Sequence, residues 1–317
     1  MGLAATAAFY HQLATLVRAG FPLSQALNHA ATASGGWQAR NAAAWSSGCG
    51  SGLPLHEQLA ASGENPLAVA LVRAGERSGR LPELCDRIAA IAEHLQRLRG
   101  LLIGRLIYPF MLAHAALMIP AVPKAFMSGN WGGILVGPAI LWSVIGGGAF
   151  FIWFARRSGL GGRLALQPGP RFLTMPWVAA NICQVVEAGI AAGMLFHDAL
   201  ELAAPACGNA VMAARLHVAA EDLRHGRCPS LTMALRQVGL PITVVQLVEG
   251  AEISGTLEIG LARTAAFQRE QFESRSLWAG RIAAGMCFGA ALLGAAWAII
   301  SMYAGYIGHI TEMANEI

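Results

Sequence analysis

The chain has 317 residues, of which 55% are hydrophobic and only 13% charged, and its mean hydropathy of +0.50 is too high for an ordinary soluble domain of this length. The formal net charge of +4 rests almost wholly on arginine, with Lys124 the only lysine; no basic stripe with interleaved aromatics is present, so a nucleic-acid partner is excluded and a place beside anionic membrane lipid is favoured. Six scattered cysteines (Cys49, Cys85, Cys183, Cys207, Cys228 and Cys287) include no CxxC pair, which argues against a zinc site and a disulfide framework and for reduced thiols filling helix interfaces.

Met1 to Ala19 reads as a weakly amphipathic helix containing His11 and Gln12, not as a cleaved leader, and this predicts a cytoplasmic amino terminus. Gly20 with Pro22, Gly35-Gly36, Gly48 to Gly52 with Pro54, Gly63 with Pro66, and Ser78-Gly79 with Pro82 then divide residues 1–100 into about six helices. In the last of these, Ile88, Ile91, Ala92, Leu95 and Leu98 recur at the helical period. β-Branched alternation is lacking, so the fold class expected is all-α, with no sheet.

Residues 101–155 read as a transmembrane hairpin, with spans from about Leu106 to Val122 and from about Ile134 to Phe154; a third runs from about Ile282 to Ile307, within residues 278–317. Each approaches or exceeds the roughly 20 apolar residues needed to cross about 30 Å of hydrocarbon. Arg97, Arg99 and Arg105 precede the first span, Arg156, Arg157 and Arg163 follow the second, and Arg269, Arg275 and Arg281 precede the third. The positive-inside rule therefore puts both charged regions in the cytoplasm and the carboxyl-terminal tail, with Glu312 and Glu316, outside. Between the hairpin and the second charged region (175–277), the Gly- and Pro-rich residues 156–174 read as a linker.

The two charged regions are copies. Leu71-Val72-Arg73-Ala74-Gly75-Glu76-Arg77-Ser78-Gly79-Arg80-Leu81 returns as Leu247-Val248-Glu249-Gly250-Ala251-Glu252-Ile253-Ser254-Gly255-Thr256-Leu257. Gly20 to Leu27 corresponds to Gly193 to Leu200, and Leu101-Leu102-Ile103-Gly104-Arg105-Leu106 to Leu277-Trp278-Ala279-Gly280-Arg281-Ile282. The shared phrase is Glu76, Ser78, Gly79 and Leu81 in one copy and Glu252, Ser254, Gly255 and Leu257 in the other.

These paired turns, the paired Ala-Gly-x-x-Leu helices and Tyr108-Pro109 at the start of the first span resemble the two-repeat type II secretion F proteins, the inner-membrane platforms of type II secretion and type IV pilus assembly. The resemblance covers nearly the whole chain, although Leu195 stands where the first copy has Pro22 and the sequence begins directly at the first repeat. It implies two six-helix cytoplasmic bundles on three transmembrane helices, without catalysis or cofactor. It also implies a cytoplasmic assembly ATPase, pilins or pseudopilins, other inner-membrane assembly subunits and a second copy of the chain as partners. The two copies disfavour the single-repeat relatives of the tight-adherence pili. A small polytopic transporter or permease subunit is the alternative, weakened by the lack of charged or broken helices forming a midplane site.

The residues themselves allow two roles for the repeated phrase. Each Gly can take a left-handed turn that lets Glu76 or Glu252 accept hydrogen bonds from the start of the following helix, or the corner can be a contact surface for a machine subunit. Arg105 and Arg281 read as snorkelling side chains at the membrane boundary, His114 as a hydrogen-bonding partner to a neighbouring span, and Gly285 and Gly289 as a close-packing GxxxG surface. Ser143 and His114 lack the loop of an intramembrane protease, no Walker sequence is present, and His225 with Cys228 make a poor metal pair. No catalytic, cofactor or metal residue is assigned.

Overall fold

In a computed structural model the described residues are 2–119 and 168–315, with 122, 139, 142, 143, 146, 147 and 150 between them. The breakers delimit six helices in the first copy: α1 (Leu3–Arg18), α2 (Leu23–Ser34), α3 (Gly36–Gly50), α4 (Leu55–Ala61), α5 (Pro66–Ser78) and α6 (Leu81–Met118). The second copy repeats them as α7 (Pro168–Ala191), α8 (Phe196–Ala206), α9 (Ala210–Arg224), α10 (Leu231–Val238), α11 (Ile242–Ile253) and α12 (Leu257–Asn315). No strand occurs among the described residues, and the fold is all-α.

Local chemistry sets the helix starts. Asn65 accepts the Leu67 amide at 3.0 Å with Pro66 at the first helical position, Asn209 accepts the Val211 and Met212 amides, and Ser230 accepts that of Met233. Residues 168–174, a linker by composition, belong instead to the start of α7. Pro168 and Pro170 fall in the first turn, where an amide would have no partner within the helix, so they cost the helix nothing there.

The first copy is built on aromatic side chains. Phe9, Tyr10 and Trp45 are at most 1% exposed, and the Phe9 ring meets Tyr10 and Trp45 edge-on at centroid distances of 5.4 and 5.9 Å. Trp45 donates its indole N–H to Ser62 Oγ at 2.8 Å. The second copy fills the matching positions with Ile182, Cys183 and Ala219, equally buried. Helix α5 packs against both α7 and α8. The buried side chains of the two copies form one core.

Two compact units result, Met1–Leu98 with Gly162–Arg275, and Arg99–Gly161 with Ser276–Ile317. Both repeats lie in the first. In the second, α6 and α12 meet where Leu102 fills the space beside Gly280, with Leu102 Cδ2 only 3.0 Å from where a Cβ would stand. Large apolar side chains are exposed there, among them Tyr108 at 72%, Leu293 at 75% and Trp297 at 71%. Among the described residues, no helix is long and apolar enough to cross a membrane. Most of the second expected span, the hairpin loop with Lys124 and Trp131, and residues 316 and 317 lie outside the described residues. His114 donates from Nδ1 to the Phe110 carbonyl at 3.1 Å and packs against Trp142, so its hydrogen bond stays within α6 and does not go to a neighbouring span.

Candidate functional site

The repeated phrase forms the same corner twice. Helix α5 ends at Gly79, whose φ of 69° is the left-handed conformation that glycine adopts without a Cβ clash. The Arg80 amide then reaches back to the Gly75 carbonyl at 3.0 Å, and the Thr256 amide reaches the Ala251 carbonyl at 3.0 Å beside Gly255, φ 68°. Ser78 Oγ donates to the Ala74 carbonyl at 2.8 Å and Ser254 Oγ to that of Ala251 at 3.2 Å, so each serine folds back on the last turn of its own helix. Leu81 is 8% exposed and Leu257 packs against the core, so each anchors the outgoing helix.

The carboxylates turn backward, not forward. Glu76 accepts the Leu55 amide at 2.6 Å, the His56 amide at 3.3 Å and the His56 ring Nδ1 at 2.5 Å. Glu252 accepts the Leu231 amide at 2.9 Å, the Thr232 amide at 3.0 Å and Thr232 Oγ1 at 2.5 Å. Each thus caps the short helix that precedes its own, α4 or α10, where the expectation was the helix that follows. The reason is local: Pro54 at the start of α4 carries no side-chain acceptor, and Ser230 at the start of α10 is engaged by Met233. The first amides of both short helices would otherwise be orphaned, and their positive end favours an anion.

The other sequence-selected residues are dispersed. Arg105 and Pro109 occupy helical positions in α6, with side chains outside those described, and Tyr108 is exposed beside them. Arg281 is exposed on α12, and a Cβ placed on Gly285 or Gly289 meets nothing within 4 Å. Among the described residues no group of three His, Cys, Asp or Glu side chains could hold a metal ion.

A second polar cluster was not found from sequence. Glu187, 2% exposed, accepts both terminal nitrogens of Arg87, one at 2.9 Å, and so ties α7 of the second copy to α6 of the first. Beside this pair Arg269 of α12 donates to Gln184 of α7, while its Nε is buried without a partner. Burial, with the adjacent Arg87 charge second, lowers Arg269 to about 10. One signal was legible: Glu187 interrupts the apolar face of α7 at the position where α1 has Ala14.

Known proteins resemble the chain along both copies. The family model for type II secretion system (T2SS), protein F, matches residues 9–129 and 182–305. The type II secretion system protein F of Vibrio cholerae serotype O1 is 28% identical over 301 residues, which cover 83% of this chain and 72% of that one. The type IV pilus assembly protein TapC of Aeromonas hydrophila is 28% identical over 297 residues, 82% of this chain and 70% of that one. A type II secretion system protein F from Xanthomonas campestris pv. campestris is 26% identical over 295 residues, with 83% and 72% covered. The family match takes in both Glu-x-Ser-Gly-x-Leu corners and most of the helices around them, and the chain belongs to the type II secretion system protein F family.

Proposed function

We propose that the chain is the non-catalytic inner-membrane platform of a type II secretion or type IV pilus machine. In this reading both repeats face the cytoplasm, the apolar lengths of α6 and α12 lie in lipid with a hairpin partner, and the carboxyl terminus is periplasmic. A cytoplasmic assembly ATPase acts on the fused repeats, and the platform, as a homodimer or higher homo-oligomer, passes the resulting movement to pilins or pseudopilins entering the filament. Other inner-membrane subunits and lipid surround it.

The observation that carries this reading is the duplicated module with its two copies joined over one core, which gives a stiff body able to transmit force. The exposed apolar side chains of α6 and α12, such as Met111 and Leu293, support burial in lipid, since so many on neighbouring turns would be costly in water. The names of the relatives support the machine assigned.

Pull-down of the tagged chain from native membranes tests the proposal. Recovery of a secretion-type ATPase together with pilin-like subunits is expected. Substrate uptake by the purified chain in liposomes, with no such subunits recovered, would replace it with a transporter.

A further inference from the structure

The cluster around Arg269 is electrostatically incomplete. Its cavity, of about 200 Å³, is lined by Arg87, Gln184, Glu187 and Arg269 and otherwise by alanines, including Ala90 and Ala266. Two guanidinium groups line it, but only one carboxylate. Glu187 is committed to Arg87 through both of its oxygens. Arg269 has a neutral amide, Gln184, as its hydrogen-bond partner, and its Nε–H faces neither water nor an acceptor. A buried donor left so destabilises the fold, more when it is charged.

We propose that this cavity binds a phosphate group between Arg87 and Arg269. The planar guanidinium fork suits a tetrahedral oxyanion, which accepts several N–H bonds at once. The space is smaller than the 300–1,000 Å³ typical of drug-sized ligands, and suits a single charged group. Arg269 belongs to the second copy alone: α6 carries Glu93 at the position where α12 carries Arg269. The phosphate can be free in solution or belong to a lipid headgroup.

Thermal melts of the full chain in a non-ionic detergent separate these sources. One arm titrates inorganic phosphate against chloride at equal ionic strength; the other replaces phosphatidylcholine by phosphatidylglycerol in mixed micelles. A saturable rise in Tm of about 2–4 °C is expected in the first arm for a free anion or in the second for a headgroup, and Arg269→Gln abolishes it. Ala266→Glu places a carboxylate one turn from Arg269 at the exposed edge of the cavity, so it raises Tm without ligand and cancels the shift; if Arg269→Gln does not fold, this variant decides alone. No rise in either arm, or a rise undiminished in the variants, overturns the proposal.

Discussion

Glu76 and Glu252 each hold two backbone amides that lie about twenty residues upstream, a distance at which no local pattern reveals the partner. Replacing the carboxylate by an amide keeps one acceptor and points an NH2 group at N–H donors. Glu76→Gln and Glu252→Gln are each expected to cost about 1–3 kcal/mol, read as a lower Tm in detergent, and the loss should be similar in the two copies because the corner is the same. A second acid behaves differently. Glu64 is 5% exposed, and burial pushes its carboxyl above the ordinary value against the hydrogen bonds from the Asn65 amide and Gln38. The native state then holds its proton at a higher pH than the unfolded chain does. Stability from this residue is full below the unfolded value of about 4.5 and falls as pH rises through the native one. Glu64→Gln should therefore raise Tm at neutral pH and flatten the decline of Tm above about pH 4.5; an unchanged slope would show that Glu64 is not the group titrating. The second copy has Leu240 at this position, and Cys183 and Met212 opposite Tyr10 and Gln38, so the polar cluster belongs to the first copy alone.

At the scale of elements, each corner contains one glycine that brings two helices close, but on opposite sides of the turn. Gly75 lies before it, and a Cβ there would stand 2.9 Å from Leu81 Cα. In the second copy that position is Ala251, and the glycine is Gly260 after the turn, where an added Cβ would overlap Ala251 Cβ; the first copy has Leu84 there. Gly260→Ala should cost about 1–3 kcal/mol by overpacking, and Ala251→Gly made alongside it should recover part of that loss, since the lost helix propensity is only about 1 kcal/mol. Additive losses in the double variant would rule out the contact. Such exchanges explain what was legible in the sequence. Helix number and boundaries follow from Gly and Pro, and the left-handed Gly79 and Gly255 from their place before Leu81 and Leu257. The backward reach of Glu76, the Arg87–Glu187 tie and the start of α7 depend on which helices meet, and that is not encoded in local spacing.

At the scale of the molecule, the way the two copies are joined governs how the body responds to load. Helix α5 packs on α7 and α8, buried side chains from Phe9 to Ile91 and from Met175 to Ala265 form one cluster, and Arg87 with Glu187 crosses the junction. A body so joined opens cooperatively, because exposing the inner face of either copy strips apolar cover from the other. Hydrogen exchange on the full chain in detergent measures this directly. The slowest amides of α1 and α3 should share one opening free energy with those of α8 and α9. Gly260→Ala, which alters only the second copy, should lower protection in α1 and α3 by the same amount as in α8 and α9. Force applied to one copy of such a body is delivered to the whole of it, as a platform requires. If protection falls in α7 to α12 alone, the copies are independent units, and a movement imposed on one could be absorbed at the junction before it reached the other.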